Sequence, residues 1–180
     1  MLQITVPANE KWDEIKEEFI YFNGATLRLE HSLVSLSKWE SKWKKPFVSK
    51  EPKTVEQTID YIRCMTITQN VDPEVYNNLT NENISQVNKY IEDPMTATWF
   101  SEDKTAKPNR EQITSELIYY WMIALNIPVE FEKWHLNRLL TLIRVCNVKN
   151  QPPKKMGKNE LMSRNKALNA ARRKQLHTKG

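Results

Sequence analysis

The sequence predicts a mainly α protein: a helical bundle with a small N-terminal antiparallel β-hairpin or meander and a basic C-terminal arm. Three observations predict it. Leu2, Ile4 and Val6 alternate with polar residues near the N-terminus, as in a half-buried strand. Apolar residues then recur every three or four positions through most of 32–148, the period of amphipathic helices. Beyond Val148 the chain turns basic and loses its apolar stripe. The expected organisation is a hairpin or meander over 1–31 packed on the body, a helical body over 32–148 and a basic linker and arm over 149–180, with one globular domain overall.

In order, Trp12 and Asp13 are separated from Phe19 and Ile20 by a polar run, which suits a hairpin turning near Ile15 to Glu17. Gly24 permits a second turn before Thr26 to His31. Such strands must lean on the helices, because an isolated hairpin is marginal in water. Leu33, Leu36, Trp39 and Trp43 line one face of a helix over Ser32 to Lys44, which Pro46 ends. Thr54 with Gln57 is a capping box opening the next helix, with Val55, Ile59, Ile62 and Met65 in phase. Asp72 followed by Pro73 starts a short helix through Leu79. Ile84, Val87 and Ile91 mark another, closed by Asp93 and Pro94. Ser101 to Asn109 reads as an exposed loop. Arg110 to Leu125 and Glu130 to Val148 read as two further helices, expected to pack antiparallel, the second of them central. Lys149 to Lys158 has linker composition, and Ser163 to His177 can be helical but lacks a face wide enough to dock firmly.

The 180 residues are 39% hydrophobic and include six Trp, six Tyr and five Phe, enough for a self-sufficient core. No apolar stretch approaches the ~18 residues of a membrane span, and the N-terminus lacks the basic start and apolar run of a signal peptide. The expectation is an intracellular, reducing setting, with Cys64 and Cys146 as buried thiols. Only three glycines occur, which argues against a phosphate-cradling loop and most nucleotide-binding folds. The net charge of +5 is unevenly placed: nine bases and one acid give residues 151–180 a charge of +8, which leaves 1–150 at −3.

No residue pattern points to catalysis, metal or cofactor binding. The three histidines are scattered, and none forms an HExxH-like pair with Glu. His135 reads as a buried or half-buried ring hydrogen-bonded to a neighbour, and His31 as a local cap. The acid pairs Asp13–Glu14, Glu17–Glu18 and Glu92–Asp93 read as solvated charge, since adjacent side chains do not face one another. Trp39 and Trp43, flanked by lysines, could stack on nucleic-acid bases, but Leu36 continues their stripe and core packing is the better reading. The arm is the candidate binding element: Lys154, Lys155, Lys158, Arg164, Lys166, Arg172, Arg173 and Lys174 offer a basic surface to nucleic acid, an acidic protein groove or anionic lipid headgroups. The alternative is a solvated tail that only keeps the protein soluble.

Three segments, LRLEHSLVSLSKWESKWKKPF from Leu27, ITSELIYYWMIALNIPVEFEKWHLNRLLTLIRVCN from Ile113 and SRNKALNAARRKQLHTKG from Ser163, resemble small proteins of long-tailed, siphovirus-like phages. These belong to the tail gene cluster, where tail assembly chaperones occur. The resemblance implies a non-enzymatic helical protein of the bacterial host cytoplasm, without cofactor or membrane, that binds the tape-measure protein or other tail proteins and assists tail-tube assembly. It carries over no catalytic residue. The alternative is a nucleic-acid-binding or structural virion protein, of the head–tail or tail-completion kind, that uses the arm; a ring-forming oligomer would mark the structural role.

Overall fold

The computed structural model describes residues 1–14, 17–49, 51–100, 112–152 and 157–177. It is mainly helical, with antiparallel strand pairs at the N-terminus. The chain divides into two compact units, Met1–Asn147 and Val148–Gly180.

The strands are β1 (Leu2–Val6), β2 (Asn9–Asp13), β3 (Glu18–Phe22) and β4 (Ala25–Leu29). β1 pairs with β4 and β2 with β3, both antiparallel. One register runs through both ladders, from Leu2 opposite Leu29 to Asp13 opposite Glu18. Of the two arrangements the sequence allowed, the structure is therefore a single long hairpin and not a meander. Its reversal lies between Asp13 and Glu18, where Glu17 adopts a left-handed φ of 52°; Ile15 and Lys16 of the predicted turn lie outside the described residues.

Gly24 does not turn the chain, contrary to the reading from sequence. It sits where the ladder is interrupted, opposite Pro7, which has no N–H to pair. A Cβ there would lie 2.9 Å from both Ala8 N and Val6 O, backbone atoms that cannot swing aside. Gly24→Ala should therefore lower stability by about 1–3 kcal/mol through overpacking, measurable as a shift in urea midpoint at unchanged slope. An unchanged midpoint would mean that the two strands separate there without cost.

Alternation along β1 and β4 buries Ile4, Val6, Leu27 and Leu29. The far edge of β4 is covered by residues 66–68: Ile67 N donates to Arg28 O at 2.8 Å, and Arg28 N donates to Thr68 Oγ1 at 2.9 Å. Both groups would otherwise be left unpaired on an open strand edge.

α1 (Leu33–Trp43) is capped by Ser32 and ends at Lys44 in a left-handed conformation. α2 (Val55–Met65) opens at the predicted Thr54–Gln57 box. Asp72 and Pro73 begin a turn of 3-10 helix, Pro73–Asn78. α3 (Asn81–Glu92) has a second box, Thr80 with Asn83, and Asn137 Nδ2 closes its other end by donating to Ile91 O and Asp93 O, both at 2.8 Å. α1 joins two apolar clusters. Trp39 packs with the β1–β4 ladder, α2 and α3. Leu33 and Leu36 pack with α4 (Ser115–Ala124) and α5 (Leu136–Asn150).

Two predicted helices need correction. α4 starts at Ser115, where Thr114 caps it, and not at Arg110, which lies outside the described residues together with the predicted loop Ser101 to Asn109. The expected helix from Glu130 is broken: Val129–Lys133 is 3-10, and α5 begins only at Leu136. The break has a tertiary cause. His135 bridges Ser32, and Leu136 N donates to His31 O at 2.7 Å, which holds these residues extended against the start of α1. Phe131 still packs against the core cluster of α1, α4 and α5, and it stacks on Trp134 with centroids 4.0 Å apart. Cys64 and Cys146 are only half-buried, not buried as expected.

Candidate partner-binding surfaces

Most of the polar residues that could suggest chemistry are engaged in holding the fold. His31 is no local cap: it is buried, and its Nδ1 lies 2.5 Å from the Tyr61 hydroxyl. Its ring meets that of His135 edge-on, centroids 5.1 Å apart. His135, also buried, donates from Nε2 to Tyr90 O at 3.0 Å, since a carbonyl can only accept. Burial disfavours the charged ring, so Nδ1 is its bare nitrogen, and it has no hydrogen-bond partner among the described residues. Burial, and then the neighbouring His135, push the His31 pKa down to about 3; burial lowers that of His135 as well. Beside the pair, Tyr90 donates to Glu30 Oε1 at 2.7 Å, and Glu30 Oε2 holds the N-terminal amine at 3.1 Å.

Two buried carboxylates lie on α1 and α2. Glu40 accepts from Phe47 N through Oε1 and from Ser115 N through Oε2, both at 2.7 Å, and so ties the chain after α1 to the first turn of α4. The sequence reading did not single it out. A signal was present: Glu40 follows Leu36 by one turn within the buried stripe. Asp60 accepts from Lys42 at 2.5 Å and Trp43 Nε1 at 2.9 Å. Burial alone would raise its pKa, but those hydrogen bonds and the charges of Lys42 and Arg63 hold it below the ordinary value. Trp39 Nε1 donates to Gln57 O at 2.9 Å. Both indoles thus serve the core, as the stripe suggested, and Trp39 is not free to stack on a base.

A cleft beside Phe47, Lys53 and Tyr61 holds about 170 Å³, below the ~300 Å³ of an ordinary small-ligand pocket. The Lys53 ammonium lies 4.1 Å from the Phe47 ring centroid, and burial lowers its pKa.

α4 presents an apolar surface. Its sequence SELIYYWMIA is apolar on nearly every side, a composition usual for a helix surrounded by protein. Ile118 and Met122 fill the core on one side. On the other, Tyr120 and Ile123 are 63% and 73% exposed, three residues apart and so neighbours on the helix surface. Val129 follows, also exposed.

The second unit carries α6 (Lys158–Leu176), nineteen residues or about 28 Å of helix. It is exposed wherever its side chains are described. Arg164, Lys166, Arg172, Arg173 and Lys174 all lie on it, and Lys158 opens it. Lys154 and Lys155 lie outside the described residues. At about 100° per residue, Lys166 and Arg173 share a stripe while Arg172 and Lys174 diverge from it, so the bases surround the helix instead of forming one face. Arg173 and Lys174 also complement the dipole of the last turn.

Among the described residues, no group of three or more His, Cys, Asp or Glu side chains could hold a metal ion, and no helix is long and apolar enough to cross a membrane. Comparison with protein-family models, curated proteins and solved structures finds no match to this chain.

Proposed function

We propose that this chain is a non-enzymatic phage tail assembly chaperone, which binds an apolar helical stretch of the tape-measure protein and keeps it soluble while the tail tube assembles. The observation that carries this reading is the outer face of α4, where Tyr120 and Ile123 stand in solvent on a helix of core composition. Burying two such side chains against a partner helix would contribute about 1.5–3 kcal/mol each. The segment containing α4 is also one of the three that resemble phage tail-cluster proteins. The test is co-expression of the chain with a tape-measure fragment that aggregates alone. The double variant Tyr120→Lys, Ile123→Lys should fold normally, since both sites are exposed, yet leave the fragment insoluble. Retention of the fragment by that variant would refute α4 as the docking face.

A second reading rests on α6. Six bases against Glu160 on one exposed helix suit the phosphates of a nucleic acid. Binding through them would weaken steeply with salt and fall at least tenfold in the variant Arg172→Glu, Arg173→Glu. Salt-insensitive binding, unchanged in that variant, would exclude this reading.

A further inference from the structure

The β2–β3 end of the hairpin is a further exposed feature with a definite chemistry. Trp12 and Phe19 are paired directly across the ladder, in edge contact with centroids 4.9 Å apart. Strand alternation puts Glu10 and Tyr21, the next pair but one, on the same side. Trp12, Phe19 and Tyr21 are 47%, 52% and 71% exposed. This aromatic face is set in strong negative charge. Residues 9–22 contain Glu10, Asp13, Glu14, Glu17 and Glu18 against Lys11 and Lys16, a net of −3. Residues 1–150 also sum to −3, so the remainder of that stretch is neutral and its whole excess charge resides in this hairpin end.

We infer that the acidic aromatic face of the hairpin receives helix α6 of a second copy of this chain. The charges are complementary: residues 157–177 carry Lys158, Arg164, Lys166, Arg172, Arg173 and Lys174 against Glu160, a net of +5. The apolar content matches too. Leu161, Leu168 and Arg172 fall within about 40° of one another around the helix, which presents two aliphatic side chains and a guanidinium to three aromatic rings. A five-residue strand spans about 16 Å, the length of three helical turns. Pairing of two hairpin ends is disfavoured by like charge, and the same charge repels nucleic acid. The contact joins two different surfaces, so it propagates head to tail, closing into rings or extending as open chains. It is independent of the α4 face and stands or falls separately from the chaperone reading.

The test is sedimentation of the full chain over a range of concentrations at low and high salt, with two charge reversals. One is Glu10→Lys, Glu14→Lys in the hairpin; the other is Arg172→Glu, Arg173→Glu in the arm. All four sites are exposed, and circular dichroism checks that each variant folds. The natural chain should associate at low salt and disperse at high salt. Each reversal alone should weaken association at least tenfold, and an equimolar mixture of the two variants should restore it, because each then offers the other a complementary pair. A chain that stays monomeric at every concentration, an oligomer indifferent to salt and to both reversals, or a mixture that fails to associate would each overturn the proposal.

Discussion

Lowering the pH from 6.5 to 4.5 should cost the folded chain about 2 kcal/mol through His31 alone. The His31 ring stays neutral when folded, with a pKa near 3, whereas in the unfolded chain it binds a proton below about 6.5. Stability is therefore complete above 6.5 and declines as the pH falls toward 3. His135, shifted in the same direction, adds to the loss. Between pH 6.5 and about 5 the window lies above that in which carboxylates protonate, so the two histidines dominate it there. Thermal melts across this range check the expectation. The His31→Phe variant should start less stable, having lost its hydrogen bond to Tyr61, but should show a shallower dependence on pH. Melting temperatures that fall in parallel for both proteins would show that the buried pair is not the titrating element.

Glu40→Ala should destabilise by about 3 kcal/mol, because it strands the Phe47 and Ser115 amides where water reaches them poorly. Both hydrogen bonds run to an ionised acceptor, the stronger kind. Glu40→Gln keeps one carbonyl oxygen and should lose less. Urea midpoints measure the difference, and amide exchange at Ser115 should quicken more than exchange in α2. An alanine variant within about 0.5 kcal/mol of the natural chain would mean that water replaces the carboxylate.

The parts of the fold visible in the sequence are those set by local chemistry. Ser32, Thr54 and Asp72 cap the elements they were expected to open, and Leu33, Leu36 and Trp39 face the core as their spacing required. The parts that were hidden depend on contacts distant in sequence. Nothing near His135 announces that its backbone will bridge Ser32, so the apolar run from Phe131 read as one helix. Gly24 looked like a turn because glycine often is one; its reason is the backbone across the ladder. Glu40 was hidden because its partners, Phe47 and Ser115, contribute only backbone amides, which leave no mark in side-chain identity. Of the candidate binding residues, the basic arm was legible from charge alone. The outward face of α4 was not, since Tyr120 and Ile123 fit an inward pattern as well as an outward one.

The most direct test of the chaperone proposal is a pull-down in which the full chain, and separately residues 1–150, are co-expressed with a tape-measure fragment that is insoluble alone. The α4 face lies in residues 1–147, so both forms should hold the fragment in solution, and the complex should survive high salt, as apolar contacts do. Capture by the full chain only, lost at high salt, would transfer recognition to the basic arm. Capture by neither would contradict the proposal.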